Sequence, residues 1–288
     1  VVTSVSRHDF PTEKAAEDMA GLLQSTGRVL DRLEGSEMSR FRALDSALTV
    51  AKSYCANDPW AGNFETWEAW VTAMQVGSAL FDAAMASEGL VVCRIGSRGE
   101  VKNLPATGPT SYTHAGTWVT SVYLAVVCRD NERLERLMRV SVSLLRESDA
   151  VFDEYIYSWV ETLQSLFFGR EDVGSKLEAA FHGTDPEVAQ AADKETLLKI
   201  LYPPINLFYR FLKRDPAEFN EALVDALTWH KQYWTGDEAR SLSSDGLVAL
   251  GPLAIACMAY DNDFPIEVES EYLPKALLQG NWVGEYAT

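Results

Sequence analysis

The chain has 288 residues, 47% of them hydrophobic, enough to bury a substantial core in one large domain or two small ones. Its formal charge of −17, from 42 acidic against 25 basic residues, argues against nucleic-acid phosphates and anionic membranes as partners and favours a basic one. Four scattered cysteines (Cys55, Cys93, Cys128 and Cys257) form no metal-ligand spacing and fit a reducing, cytoplasmic compartment.

Most of the chain reads as helix. Residues Val1 to Pro11 lack the apolar core of a signal peptide, so no export is expected. Thr12 is placed to cap a helix to about Leu33, Ser36 a second to about Ala56, and Asn63 a third. In that third helix Trp67, Val71, Met74, Ser78 and Phe81 recur with the helical period, which predicts a packed face.

Residues 89–104 break the pattern. Leu90 to Ile95 are apolar apart from Arg94 and include the β-branched Val91, Val92 and Ile95, Gly96-Ser97-Arg98-Gly99 is turn chemistry, and Glu100 to Leu104 can return, so a small β-hairpin is expected at 90–104. Beyond the rigid Pro105–Pro109 loop, helices are expected from about Thr110 to Cys128, Asn131 to Met138 and Val151 to Phe168. Thr184-Asp185-Pro186-Glu187 reads as another helix start, with Tyr202 as its end because Pro203-Pro204 follows. Pro204 can open the next helix, to about Lys213. Asp215-Pro216-Ala217-Glu218 carries a cap and a capping-box acid for a helix to about Trp234. Ser244 or Asp245 is expected to cap a last, apolar helix from Leu247 to Met258, too short and too interrupted by Gly251-Pro252 to span a bilayer. Short polar turns between helices predict an all-α fold: an antiparallel helix-pair, solenoid-like array forming one domain over 1–288, without a fixed-period repeat.

Catalytic signatures are absent from the pattern. His8, His114, His182 and His230 make no H-E-x-x-H pair. His230 continues the stripe Phe219, Leu223, Leu227, Trp234 and reads as a hydrogen-bonded core residue. Asp153 and Glu154 point apart on a helix, and Glu154 and Glu161 stand about 10 Å apart along the axis, too far to share a proton. Asp261-Asn262-Asp263 distantly resembles the magnesium-binding cluster of terpene synthases but runs out of its helix at Phe264-Pro265 and lacks a second cluster. No metal and no cofactor is expected.

Two segments stand out. In Tyr202–Arg210, Asn206 and Arg210 share a helix face within apolar surroundings, and Tyr202, Asn206 and Arg210 are expected to form a polar lock between helices, with a carboxylate partner for Arg210 if it is buried. After the apolar run, Asp261, Asp263, Glu267, Glu269 and Glu271 stand with only Lys275 to offset them. These five are the expected partner-binding residues, with long-range attraction for a basic surface.

Glu65-Thr66-Trp67-Glu68-Ala69-Trp70, Leu104 to Pro109, Asp153-Glu154-Tyr155, Ile200 to Arg210, Leu250 to Ala256 and Phe264 to Glu269 together resemble immunity protein family 49 of the bacterial polymorphic toxin systems, an actinobacterial family. The resemblance runs from about residue 40 to the C-terminus. It implies a mostly helical, non-enzymatic protein, encoded beside a toxin gene, that binds and neutralises the cognate toxin domain inside the producing cell. A nuclease with a basic groove is one toxin such an acidic protein suits. The resemblance implies no particular functional residues. Two other expectations stand beside it: a helical protein-interaction scaffold with no toxin partner, and an enzyme with an unrecognised cavity.

Overall fold

The computed structural model describes residues 2–96, 100–285 and 288. Its elements are β1 (Thr3–Ser4), α1 (Thr12–Leu30), α2 (Glu37–Asn57), α3 (Phe64–Met85), β2 (Leu90–Arg94), β3 (Val101–Pro105), α4 (Ala115–Val127), α5 (Asn131–Met138) and α6 (Val142–Arg146). There follow α7 (Tyr155–Phe167), α8 (Val173–Gly183), α9 (Lys194–Thr196), α10 (Tyr202–Leu212), α11 (Pro216–Trp234), α12 (Glu238–Ser241), α13 (Leu250–Asp261), β4 (Val268–Glu269) and α14 (Lys275–Leu278). A π-helical turn, Leu197–Leu201, joins α9 to α10, and a 3-10 turn, Ser244–Leu247, precedes α13. The fold is predominantly α, as the periodicity predicts.

Several starts follow from short polar side chains that satisfy an orphan backbone N–H. Ser36 accepts from Ser39 N, Asp130 from Arg133 N, Asp193 from Thr196 N and Asp215 from Glu218 N. The expected stripe of α3 is buried throughout: Trp67, Val71, Met74, Ser78 and Phe81 are at most 8% exposed. Asn63 precedes α3 but does not cap it with its side chain. Asp58 takes over: its carboxylate accepts from Gly62 N, Asn63 N and Thr66 Oγ1.

Helix packing closes on itself. α1 lies on α2, α2 on α3, α3 on α4, α4 on α13, α13 on α10 and α10 on α11, and the 3-10 turn beyond α11 returns to α2. The α7–α8 pair rests on α4 and α10. One contiguous apolar cluster runs through this array from Leu33 to Leu278. Strands are minor. β2 and β3 form the expected antiparallel hairpin, with Val92 opposite Asn103; its turn residues Ser97, Arg98 and Gly99 lie outside the described residues. A second pair was not expected: β1 runs parallel to β4, with Thr3 opposite Val268 and Ser4 opposite Glu269.

The structure corrects several boundaries. Thr12 is the first residue of α1 and makes no cap; Pro11 precedes it. α4 begins at Ala115 rather than Thr110, because the His114 imidazole accepts from Thr117 N and sets the start. α8 and the short α6 were not foreseen. Thr184-Asp185-Pro186-Glu187 starts no long helix: the Thr184 hydroxyl closes back onto Phe181 O, and this segment is turns up to Asp193. Nor do Pro203 and Pro204 end a helix. The π-turn ahead of them places both prolines in the first turn of α10, where their missing N–H groups have no bond to lose. The apolar run is not helical from Leu247: Ser243, not Ser244 or Asp245, caps the 3-10 turn, Val248 is extended, and α13 starts at Leu250 with no side-chain cap from Ala249 and with Pro252 in its first turn.

Candidate functional site

The acidic segment is held at several points. Asp261 ends α13 and receives the Arg129 guanidinium through Nε at 3.0 Å and Nη2 at 3.1 Å. Arg129 also donates to Leu277 O and Leu278 O, so the same side chain ties α14 to the segment. Asp263 is exposed, in the left-handed region at φ 63°. The Asn220 side-chain amide donates to Pro265 O at 2.8 Å and accepts from Glu267 N at 2.7 Å. Thr3 N and Val5 N then donate to Glu267 O and Glu269 O. Strand alternation does the rest: Val268 and Ser270 turn inward, Glu267 and Glu269 face outward, and Glu271 is partly exposed. Glu269 lies 3.8 Å from Lys275, a loose and exposed pair. The five carboxylates therefore sit on one anchored stretch of chain, and Asp261 is already engaged by an arginine.

The expected polar lock is only partly assembled. Arg210 Nη1 pairs with Glu218, linking α10 to the first turn of α11, so Glu218 serves this pair rather than a reciprocal capping box. Both side chains are substantially exposed, at 32% and 50%. Asn206 makes no side-chain hydrogen bond among the described residues and is no part of the lock. Tyr202 packs edge-on against Phe181 at 5.9 Å, and burial pushes its hydroxyl pKa up while Arg210 pulls it back.

A third feature has no signature in the sequence. A cleft of about 400 Å³ opens where α2, α4, α7, the π-turn, α11 and the segment leading into α13 face one another. Tyr123, Tyr155 and Trp159 line it beside Lys52, Lys199 and Asp245. Lys52, only 11% exposed, donates to Asp245 at 2.8 Å, and Lys199 pairs with Glu195 one helical turn earlier at 3.0 Å. Trp159 Nε1 donates to the Tyr123 hydroxyl at 3.0 Å. The Trp234 indole N–H, on a residue that also lines the cleft, is buried without a partner among the described residues. These groups come from elements far apart in the chain, and no spacing joins Lys52 to Lys199.

His230 reaches the cleft wall as the expected core histidine. Its Nε2 bonds Gly246 O at 2.9 Å, so that nitrogen carries the proton, and burial pushes its pKa down to about 3. It is neutral near pH 7. Glu154 is paired with Arg146 and Glu161 with Lys176, so neither is a free acid or base. Burial raises the pKa of all four thiols, Cys55 to about 12 and Cys93 to about 11, which leaves them protonated and weakly nucleophilic. Among the described residues no three His, Cys, Asp or Glu side chains group to hold a metal, and no helix is long and apolar enough to cross a membrane.

Residues 58–277 match the family model described as immunity protein 49. The chain belongs to the immunity protein 49 family. No curated protein and no solved structure matches it. The matched region of this immunity protein 49 member contains the acidic segment, the Arg210–Glu218 pair and every wall of the cleft except the α2 side. Two of the segments that carried the resemblance, Ile200–Arg210 and Leu250–Ala256, meet at that wall. Gly251 lies so close to Pro204 that a β-carbon there would stand 2.5 Å from the proline Cγ.

Proposed function

We propose that the protein binds a cognate toxin domain and neutralises it by occlusion, without chemistry of its own. Membership of the immunity protein 49 family carries this reading. The contact surface we assign is the acidic segment: Asp263, Glu267, Glu269 and Glu271, with Asp261 at its root. Its backbone is held by Asn220 and β1 and its first carboxylate, Asp261, by Arg129, so binding would cost little ordering of the chain. The partner we assign is a basic toxin domain such as a nuclease, whose phosphate-binding groove matches this surface in sign. The place of action is the cytoplasm of the producing cell.

The test uses the toxin encoded beside the gene. Purified protein is expected to form a stable complex with that toxin domain and to suppress its activity in proportion to occupancy. Failure to bind it at micromolar concentration overturns the reading in favour of a helical scaffold for other partners.

A further inference from the structure

The cleft between α2, α4, α7 and α11 brings two lysines to one wall of a strongly acidic molecule. The chain carries −17, yet Lys52 and Lys199 line this space with Asp245. Asp245 already answers Lys52, and Glu195, the partner of Lys199, is not part of the lining. Each ammonium uses one of its three donors on a carboxylate. The Tyr123 hydroxyl accepts from Trp159 and retains its own proton to give. The Tyr155 hydroxyl has no partner among the described residues, and neither has the buried indole N–H of Trp234. Spare donors on Lys52, Lys199, Tyr123 and Tyr155 therefore belong to residues around a hollow whose walls are otherwise mainly aromatic and aliphatic, while the Trp234 N–H is sealed within the wall. At about 400 Å³ it falls within the size range of small-molecule pockets.

The walls are fixed by close packing. Gly251 approaches Pro204, and Gly246 approaches the Trp234 ring, each more closely than a β-carbon would permit. The π-turn widens the helix at Leu197–Leu201 and delivers Lys199, Ile200 and Leu201 to the lining. Such turns interrupt a helix at a cost in hydrogen-bond geometry and recur at binding sites.

We propose that this cleft binds a small organic anion, with an apolar, planar body against Tyr123, Tyr155 and Trp159 and an acidic head group near Lys199 and Lys52. An anionic head finds uncommitted donors, and a flat body finds aromatic faces at low entropic cost. A cationic ligand would meet two ammonium groups and one carboxylate, Asp245, that Lys52 already engages. This site is separate from the acidic segment assigned to the toxin, so it stands or falls independently of that reading.

The probe is 8-anilinonaphthalene-1-sulfonate, followed by its own fluorescence and by calorimetry, with the uncharged N-phenyl-1-naphthylamine as comparison. Saturable binding at one site per chain is expected, and the uncharged compound should bind at least about tenfold more weakly, as the loss of one charge-assisted contact implies. Lys199→Met should weaken the sulfonate about tenfold and leave the uncharged compound unchanged. Because Lys199 and Glu195 are both partly exposed, this variant is expected to fold. Thr120→Trp, which fills the cleft from α4, should abolish binding of both compounds; circular dichroism and the melting temperature establish that it folds. Equal affinity for the charged and uncharged compounds, or binding untouched by both variants, overturns the proposal.

Discussion

At Arg210 the chain holds an ion pair that exposure weakens. With Arg210 and Glu218 at 32% and 50% exposure, solvent screens the pair and neither partner is stranded when the other is removed. A fully buried arginine would cost several kcal/mol to truncate; here Arg210→Ala is expected to cost no more than about 1 kcal/mol in urea denaturation. His230 behaves oppositely. Its folded pKa, about 3, lies below the 6.5 of a free imidazole. Between those values the unfolded chain binds a proton that the native state refuses. Stability is fully present above pH 6.5 and is lost as the pH falls toward 3. His230→Asn is expected to lower stability at pH 7.5, because the Gly246 carbonyl loses a good donor, and to flatten the decline between pH 7.5 and 4.5. An unchanged slope in denaturation titrations at several pH values would show that His230 is not the group responsible. His8 and His114, also held down by burial, and carboxylates such as Asp153, held down by backbone N–H groups, add to the slope that remains.

At the scale of elements, two glycines separate close packing from mere permissiveness. Gly251 lets α13 lie directly on the Pro204 ring, whose only freedom is a change of pucker, while its backbone is fixed in α10. Gly251→Ala must separate α10 from α13 and is expected to cost about 1–3 kcal/mol, read as a lowered urea midpoint. Gly21, within α1, has nothing within 4 Å of its added β-carbon. There alanine relieves only backbone entropy, and Gly21→Ala should stabilise by about 0.5–1 kcal/mol. Finding the two substitutions equal in effect would contradict the close approach of the helices. The π-turn belongs to this scale as well. It lets one helical path continue from α9 into α10 through two prolines, where an unbroken α-helix would have lost the hydrogen bonds that Pro203 and Pro204 cannot donate.

For the whole molecule, net charge governs encounter. The acidic segment adds local negative potential to a chain that is already strongly acidic, so association with a basic partner should be fast at low salt and slow as the Debye length contracts to about 8 Å at physiological ionic strength. Asp263, Glu267, Glu269 and Glu271 converted together to their amides are expected to lower the association rate and its salt dependence while leaving the circular dichroism spectrum unchanged. An unaltered rate and salt slope would move the interface elsewhere on the surface. Asp261 is left intact in this variant, because Arg129 holds both it and the α14 carbonyls and its loss would disturb the anchor itself.

Local chemistry in the sequence determined a large part of this protein. The caps at Ser36 and Asp215, the periodic stripe of α3, the hairpin around residues 90–104 and the core placement of His230 each depend on residues within a few turns of one another, where sequence distance and spatial distance nearly coincide. The family, too, was legible in contiguous segments such as Ile200–Arg210. Other features required the fold. Thr184–Glu187 has the composition of a helix start, but Thr184 bonds back to Phe181, and the distant Asp153 carboxylate accepts from Gln190 N, Ala191 N and Ala192 N in the turns that lead to Asp193. The pairing of β1 with β4 joins residues more than two hundred and sixty positions apart. Arg129 reaches Asp261 and α14 across half the chain, and Lys52, Tyr123, Lys199 and Asp245 share one cleft because the 3-10 turn beyond α11 returns to α2. Sequence spacing records a local period, whereas the closure that builds such a cleft arises from the summed burial of many distant apolar faces, and only the tertiary structure decides which of them meet.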